Sequence, residues 1–281
     1  MRKARVAPLL ALLMLLGTVL ACRPPARFSG ERAYRDVTAQ VALGPRLPGS
    51  AASQQAREYF ARELQSAGWT VAEQAFVFQG VELRNLIARR GEGPLLIVGA
   101  HYDCRARADL DPQDPDAPVP GANDGASGAA VLLELARSLD AQRLHYEVQL
   151  AFFDAEDQGD LDQWPWSVGA EHLAANLDRR PQAVIIVDMV GDAQQELYWE
   201  GSSTPCLRER LWTVAAQLGH GEHFVPIPKH TVTDDHTPFL QRSIPAIDII
   251  DLDYPYWHTT SDTIDKVSAA SLERVGRVLE Q

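Results

Sequence analysis

PLLIVGAHYD, at residues 94–103, is an almost unbroken apolar run that ends in a histidine and an aspartate. The stretches YEVQLAFFDAED (146–157) and AVIIVDMVGD (183–192) repeat this pattern. Such runs are typical of strands that are buried on both faces of a parallel sheet. In open α/β sheets, ligands bind beyond the carboxyl ends of the strands, where side chains from distant parts of the chain converge. The polar side chains expected at that rim are His101, Glu156, Asp157 and Asp188.

Helical patterns alternate with these strands. They lie near 126–140, 167–177, 205–219 and 267–280. TVAEQAFVF and VELRNLIARR, which flank Gly80, are expected to form an antiparallel pair at the edge of the sheet. The alternation predicts an α/β fold, a three-layer α/β/α sandwich around a central mixed, largely parallel twisted sheet.

The segment MRKARVAPLLALLMLLGTVLAC has a basic start, an apolar stretch and small residues before Cys22. This order predicts a signal peptide of the lipoprotein type at residues 1–21 and a lipid on Cys22, rather than ordinary cleavage or an uncleaved anchor. The expected location is a bacterial cell envelope, on the periplasmic side or at the outer membrane, with secretion as the alternative. Residues 22–36 are expected to be a tether, and residues 37–281 a single catalytic domain.

The chain has 281 residues and a formal net charge of −12. An acidic chain without a basic patch argues against nucleic acid and anionic lipid headgroups as partners. We expect a monomer that contacts the membrane through the lipid on Cys22. The spacing of Cys104 and Cys206 leaves open whether these two residues pair.

Two further polar residues can reach the rim of the sheet. Asp124 lies in the loop GANDGASG (121–128), and His258 follows a short apolar strand and an aromatic loop. Zinc binds histidine nitrogen and carboxylate oxygen, and catalytic zinc sites keep one position open. Asp124, Asp157 and His258 come from three separate elements and are therefore the first choice as zinc ligands.

His101 and Asp188 leave two alternatives open. With Asp124 as a bridge they would complete a second zinc position, because paired metal ions recur in hydrolytic sites. Otherwise they are hydrogen-bond partners around the first zinc. Asp103 is placed to orient the ring of His101. Glu156 is expected to point into the pocket beside the metal and to act as the general base.

Several motifs resemble those of the zinc-dependent exopeptidase family that contains the co-catalytic zinc aminopeptidases and the animal-type glutaminyl-peptide cyclotransferases. The match begins at LGPRLPGS (43–50) and includes GAHYD, GANDGASG, FFDAED, VDMVGD, DDHTPFLQRSIPA and WHTTSDTIDK. The resemblance implies a zinc ion held by Asp124, Asp157 and His258, with Glu156 as acid and base. Asp157 departs from the family pattern, which more often has a second glutamate after the base.

Three features make the chain more similar to the cyclases than to the peptidases. Trp257 directly precedes the expected ligand His258, Asp235 belongs to a double-aspartate run, and Trp164 and Trp166 lie in the insertion after the base. A cyclase would act on peptides or proteins with a free N-terminal Gln and would bind one zinc ion. An aminopeptidase would use His101 and Asp188 for a second zinc, and a binding relative without activity is the remaining alternative.

The cyclase assignment gives each site residue an expected role. The catalytic residues would be Glu156, Asp188 and Asp235, the substrate-binding residues Trp164, Trp257 and His101, and the zinc ligands Asp124, Asp157 and His258.

Overall fold

The computed structural model describes residues 27–140 and 144–281. The expected signal peptide and Cys22 lie outside the described residues. Within the described ranges, no helix is long and apolar enough to cross a membrane. Cys104 is buried, Cys206 is exposed, and both are free thiols. The two cysteines therefore do not pair with each other.

Strands and helices alternate along the chain as the sequence predicts. The helices are α1 (Gly30–Val41), α2 (Ala51–Ser66), α3 (Ala126–Ser138), α4 (Val168–Ala175), α5 (Pro205–Gln217), α6 (Thr237–Gln241) and α7 (Ala269–Leu279). The strands are β1 (Thr70–Phe78), β2 (Val81–Arg90), β3 (Leu95–His101), β4 (Glu147–Phe153), β5 (Ala183–Asp188), β6 (Leu197–Glu200), β7 (Phe224–His230) and β8 (Ala246–Ile250).

The central sheet of the described chain has six strands in the order β1-β2-β4-β3-β5-β8. β3 pairs in parallel with both β4 and β5, and β5 pairs in parallel with β8. The pairs β1–β2 and β2–β4 are antiparallel. The predicted mixed, largely parallel sheet with an antiparallel edge pair is therefore confirmed. β6 and β7 form a separate two-stranded sheet.

Helices cover both faces of the central sheet. α1, α2, α3 and α7 contact one another on one side of it, and α4 and α6 pack together on the other side. α3 is buried along nearly its whole length because the sheet lies below it and the other helices cover it. Its many alanines allow this close approach, and each fully buried leucine contributes roughly 1.5–3 kcal/mol.

The prediction that residues 22–36 form a tether is wrong for residues 27–36, which the structure describes. Phe28 is buried, and α1 begins at Gly30 with the Ser29 side chain as its N-cap. The helix presents apolar residues to the core, and its polar residues pair with α3: the Arg32 Nε atom donates to Glu134 Oε1 at 2.9 Å. Part of the polar composition of this segment therefore reflects ion pairs with buried carboxylates, while Glu31 and Arg35 are exposed.

The parallel register brings strand ends together at one edge of the sheet. His101, the last residue of β3, pairs with Phe153, the last residue of β4. Asp188 ends β5 and pairs with Ile250 at the end of β8. Residues that follow these positions therefore enter a common crevice.

Candidate active site

Asp124, Asp157 and His258 meet in this crevice and form a candidate metal centre. His258 Nε2 lies 3.1 Å from Asp157 Oδ1 and 3.9 Å from Asp124 Oδ2. One ligand atom from each residue lies within 4.8 Å of the others. Ligands of a tetrahedral zinc ion at about 2.0–2.2 Å are separated from each other by roughly 3.4 Å, which agrees with these distances.

The donor atoms of this group are buried and unsatisfied. Asp124 Oδ2, both Asp157 oxygens and His258 Nε2 have no hydrogen-bond partner among the described residues. Buried polar groups without partners are costly, so such a set is typical of a site that a cation completes. The residues expected to hold zinc are thus brought together, and their chemistry fits that ion.

The loop that carries Asp124 is fixed by close packing and by buried hydrogen bonds. Asp262 accepts hydrogen bonds from the backbone N–H of Asn123 at 2.9 Å and of Asp124 at 3.1 Å. Gly125 has a φ of +87°, and a Cβ atom there would lie 2.5 Å from the Asp103 carbonyl oxygen. Only glycine accommodates both this conformation and this contact. Arg46, which is fully buried, donates to the Pro120 carbonyl at 3.0 Å.

Asp103 orients the turn after β4 more than it orients His101. Its carboxylate accepts the N–H of Glu156 at 3.0 Å, the N–H of Asp157 at 3.3 Å and the amide of Gln158 at 3.0 Å. The nearest His101 nitrogen, Nδ1, lies 3.5 Å away, which is long for a hydrogen bond. One buried aspartate therefore positions the expected base and an expected zinc ligand together.

Left-handed backbone occurs at three non-glycine residues of the crevice. Ala155 precedes Glu156 with φ 58°, Met189 follows Asp188 with φ 45°, and His258 itself has φ 55°. This conformation costs an L-residue about 1–2 kcal/mol, and such strain clusters at functional sites. The strain turns the side chains of neighbouring residues into the crevice.

His101 and Asp188 satisfy one another. His101 Nε2 hydrogen-bonds with Asp188 Oδ1 at 3.0 Å and lies 3.2 Å from Asp124 Oδ1. Burial opposes the charge on His101, but the carboxylates of Asp188, Asp103 and Asp124 outweigh it and raise the pKa of His101 well above its usual value. Although His101, Asp124 and Asp188 are close enough to hold a metal, their facing atoms already have partners.

Glu156 is buried at the wall of the cavity, where the Ser167 hydroxyl donates to its Oε1 atom at 3.4 Å. Burial and the charges of Asp234, Asp235 and Asp157 raise the pKa of Glu156 well above its ordinary value, against the opposing effect of His101. A carboxyl group with a raised pKa can both accept and return a proton near neutral pH. This environment is what a general base and acid requires.

The cavity beside these residues has a volume of about 270 Å³. Two indole rings border it next to the metal ligand: the Trp166 ring is nearly parallel to that of His258 at 5.9 Å, and the Trp257 ring centre lies 4.0 Å from it. The lining residues are Asp124, Glu156, Asp157, Trp166, Asp188, Met189, Val232, Thr233, Asp234, Ile250, Leu252, Trp257 and His258.

Three residues expected to face substrate lie elsewhere in the described chain. Trp164 packs edge-on against Phe78, with 5.1 Å between ring centres, and Trp166 takes the expected place at the cavity. Asp235 is fully buried behind the wall, and its neighbour Asp234 lines the cavity instead. His101 is buried beneath Asp124 and Asp188 and does not reach the lining.

Behind Asp234, a buried network extends away from the cavity. His236 Nε2 hydrogen-bonds with Ser202 Oγ at 2.8 Å and lies 3.3 Å from Glu200 Oε2. Burial opposes the charge of Glu200, but His236 and the donors of Ser202 outweigh it and lower the pKa of Glu200 to about 2. Asp248, beside His236, has a pKa raised well above its usual value by burial and by Asp234. The network thus places a carboxyl group with a lowered pKa, Glu200, near one with a raised pKa, Asp248.

Sequence reasoning missed residues that support the site through backbone contacts. Arg105 donates to the Asp157 carbonyl at 3.2 Å, and its guanidinium lies 5.1 Å from the centre of the Trp166 ring. Arg105 occurs in a polar insertion, so its pattern resembles that of a solvated loop. Arg46 and Asp262 lie within LGPRLPGS and WHTTSDTIDK, and these motifs alone pointed to them.

Comparisons with known proteins agree with this geometry. Residues 85–281 match the family model described as peptidase family M28. The glutaminyl-peptide cyclotransferase-like protein of Bos taurus is 28% identical over 275 residues, which cover 83% of this chain and 70% of the bovine protein.

Two solved structures share the fold closely. The glutaminyl cyclase of Porphyromonas gingivalis is 33% identical with a TM-score of 0.84, covering 90% of this chain and 96% of that one. A Zn-dependent exopeptidase of Parabacteroides distasonis is 31% identical with a TM-score of 0.84, covering 92% of this chain and 98% of that one. The family match over residues 85–281 and the similar solved structures lead to one conclusion: the chain belongs to peptidase family M28.

Proposed function

We propose that this protein is a glutaminyl-peptide cyclotransferase that converts the N-terminal Gln of peptides or proteins to pyroglutamate and releases ammonia. The relatives named glutaminyl cyclase support this activity. The observation that carries the proposal is the small cavity that Glu156 and the candidate zinc ligands line together with Trp166 and Trp257. Such flat walls suit a Gln side chain that must fold back on its own amine.

Glu156 carries out the proton transfers of this reaction. It accepts a proton from the α-amine, and the amine nitrogen then forms a bond to the γ-amide carbon within the same residue. The bond from that carbon to the amide nitrogen breaks, and Glu156 returns the proton so that ammonia leaves. Holding the amine against the carbonyl removes much of the entropy cost of the reaction, since no second reactant is required.

We propose one zinc ion, held by Asp124, Asp157 and His258. When bound, zinc supplies Lewis-acid stabilisation of negative charge on the γ-carbonyl oxygen. Two observations support a single ion. Donor atoms of Asp124, Asp157 and His258 have no hydrogen-bond partner among the described residues. In the second candidate group, by contrast, His101 and Asp188 already share a hydrogen bond of 3.0 Å. Asp188 and Asp234 border the cavity near Glu156 and present negative charge to the substrate amine.

A zinc aminopeptidase is the alternative, and one observation favours it. His101, Asp124 and Asp188 lie within 4.8 Å of one another, which is close enough for a second metal. In that reaction Glu156 would take a proton from a water molecule that attacks the first peptide bond.

One experiment distinguishes the cyclase from the aminopeptidase. The zinc-loaded protein is incubated with two peptides that differ only in an N-terminal Gln or Leu, and the products are followed by mass spectrometry. We expect the Gln peptide to lose the mass of ammonia while the Leu peptide is unchanged. Release of free Leu would instead establish an aminopeptidase, and two unchanged peptides would contradict both activities.

The location of the protein is a separate proposal. We propose a monomer held at a bacterial cell envelope by a lipid on Cys22, and the order of residues in the N-terminal segment supports it. Mass spectrometry of the protein from its native membrane tests the proposal, because an acylated N-terminal Cys22 is expected. A mature chain that begins at any other residue would overturn it.

A further inference from the structure

A second cavity, of about 560 Å³, opens beside the active cavity. Trp166 and Thr233 line both cavities, so the two cavities adjoin each other at these residues. We call the second cavity the apolar groove. Its lining residues are Phe76, Val77, Phe78, Pro165, Trp166, Ser167, Val168, Glu171, His172, Ala175, Thr233, Thr237, Pro238 and Gln241.

Aromatic rings form one wall of the apolar groove. The Phe76 ring stacks on His172 with 4.0 Å between ring centres and 7° between planes. Burial lowers the pKa of His172, which favours the neutral form of the ring. Phe78 is supported from behind by the Trp164 ring. These contacts make the wall rigid and uncharged.

The rim of the groove combines exposed apolar surface with a neutralised charge. Val77 is 66% exposed at the end of the edge strand β1, and Ala175 is exposed on α4. Glu171 is ion-paired with Arg242, whose Nη1 donates to it at 2.9 Å. An exposed apolar side chain on an edge strand is unusual without a partner, because edges are normally protected by charge.

The substrate peptide itself is a suitable partner for this exposed apolar surface. If the N-terminal Gln occupies the active cavity, the following residues must leave by its mouth, advancing about 3.3–3.6 Å per residue when extended. Because Trp166 and Thr233 border both cavities, a peptide that passes them enters the apolar groove within its next few residues.

We propose that the apolar groove binds an apolar or aromatic side chain a few residues after the N-terminal Gln of the substrate. The inference rests on the proposed cyclase activity and names its preferred substrates: peptides with a large apolar residue near position 3. The recognition is of side chains, since the groove offers apolar walls and few free polar groups.

A phenylalanine scan tests the groove. Peptides of the form Gln-Gly-Gly-Gly-Gly receive a single Phe at positions 2 to 5, and kcat and KM are measured for each with the zinc-loaded protein. We expect Phe at one or two positions to lower KM by about tenfold relative to the all-Gly peptide, because Phe buries a large apolar surface. kcat is expected to stay unchanged, since the groove does not contact the reacting atoms.

Two variants place a charge at exposed residues of the groove lining. Val77→Asp and Ala175→Asp are each expected to remove the KM advantage of the Phe peptide and to leave KM for the all-Gly peptide unchanged. Ile227→Asp is the matched control, because Ile227 is an equally exposed strand residue (57%) on β7, outside both cavities.

The outcomes separate the groove from the activity. Conversion of every peptide with one common KM, or an equal effect of Ile227→Asp, would overturn the groove and leave the cyclase in place. Failure to convert the all-Gly peptide and the Phe peptides alike would overturn the cyclase proposal itself.

Discussion

Glu156 is a cavity-lining carboxyl group whose raised pKa suits a proton carrier, and it does not belong to either candidate metal group. We predict that Glu156→Gln lowers kcat by about 10²–10⁴-fold, the usual contribution of a general acid and base. Zinc content should remain that of the native protein, because Glu156 is not in the group of unpartnered donors. Activity assays and metal analysis of the same preparation check both parts. Ser167→Ala, which removes only a 3.4 Å contact to Glu156, is the control and should have a much smaller effect.

The number of zinc ions is also decided by single residues. The two candidate groups that share Asp124 each contain one histidine, so His258→Ala and His101→Ala test them separately. We predict one zinc per chain in the native protein, loss of that zinc in His258→Ala, and retention of it in His101→Ala. Two zinc ions in the native protein, with one lost from His101→Ala, would contradict the single-ion site and favour the aminopeptidase.

The residues of the site differed in how far sequence could predict them. Asp124, Asp157, His258 and Glu156 follow strand ends or a glycine-rich loop, where the chain has few directions available. In irregular loops the alternation of strand residues no longer applies, so neighbouring positions cannot be told apart. Asp235 was therefore expected at the cavity where Asp234 lies, and Trp164 where Trp166 lies.

Helix α1 makes the N-terminal part of the described chain a structural element. A Cβ atom at Gly30 would collide with the Ala269 carbonyl oxygen at the start of α7. We predict that Gly30→Ala lowers the free energy of unfolding by about 1–3 kcal/mol, the usual cost of overpacking. Urea unfolding measures it, and Arg35→Ala, an exposed position on the same helix, should change stability by less than about 0.5 kcal/mol. Equal stability of the two variants would mean that α1 is only loosely attached.

The sequence predicted the six strands of the central sheet and the helices α3, α4, α5 and α7 because their apolar patterns are strong, but it did not predict β6 and β7. Helix α1 was not predicted because four of its twelve residues are arginine, glutamate or aspartate. This composition resembles that of an exposed linker. Its charged groups are paired across elements: Arg137 on α3 donates to Asp36 at 3.0 Å and to Glu63 on α2 at 2.8 Å. Partners so distant in the chain have no local signature in the sequence.

At the scale of the whole molecule, the protein concentrates buried carboxyl groups at one edge of the sheet. Burial and neighbouring carboxylates raise the pKa of Asp248 and Asp235 well above the usual value, and burial raises that of Asp251 to about 7. Such groups bind more protons in the folded than in the unfolded state. Their stabilisation is present below the unfolded pKa of about 3.9 and is lost as pH rises through the folded pKa.

We therefore predict that the metal-free protein becomes less stable between pH 5 and 7, by more than about 1.4 kcal/mol, the equivalent of one pKa unit on one group. Groups with a lowered pKa, such as Glu200 at about 2, are ionised in both the folded and the unfolded state above pH 5. Their contribution to stability is therefore constant between pH 5 and 7. The partly buried His172 and His220, whose pKa values burial lowers, oppose the trend only weakly. Zinc should reverse the slope, because it binds deprotonated carboxylates and its affinity rises with pH.

Urea unfolding at pH 5, 6 and 7, with a chelator and with zinc, measures both slopes. Asp248→Asn is the matched variant: it removes one buried carboxyl whose two oxygens have no hydrogen-bond partner among the described residues, and so it should flatten the slope of the metal-free protein. If the metal-free protein instead gains stability from pH 5 to 7, the buried carboxyls are ionised in the fold. The acidic edge of the sheet would then owe its stability to ion pairs rather than to retained protons.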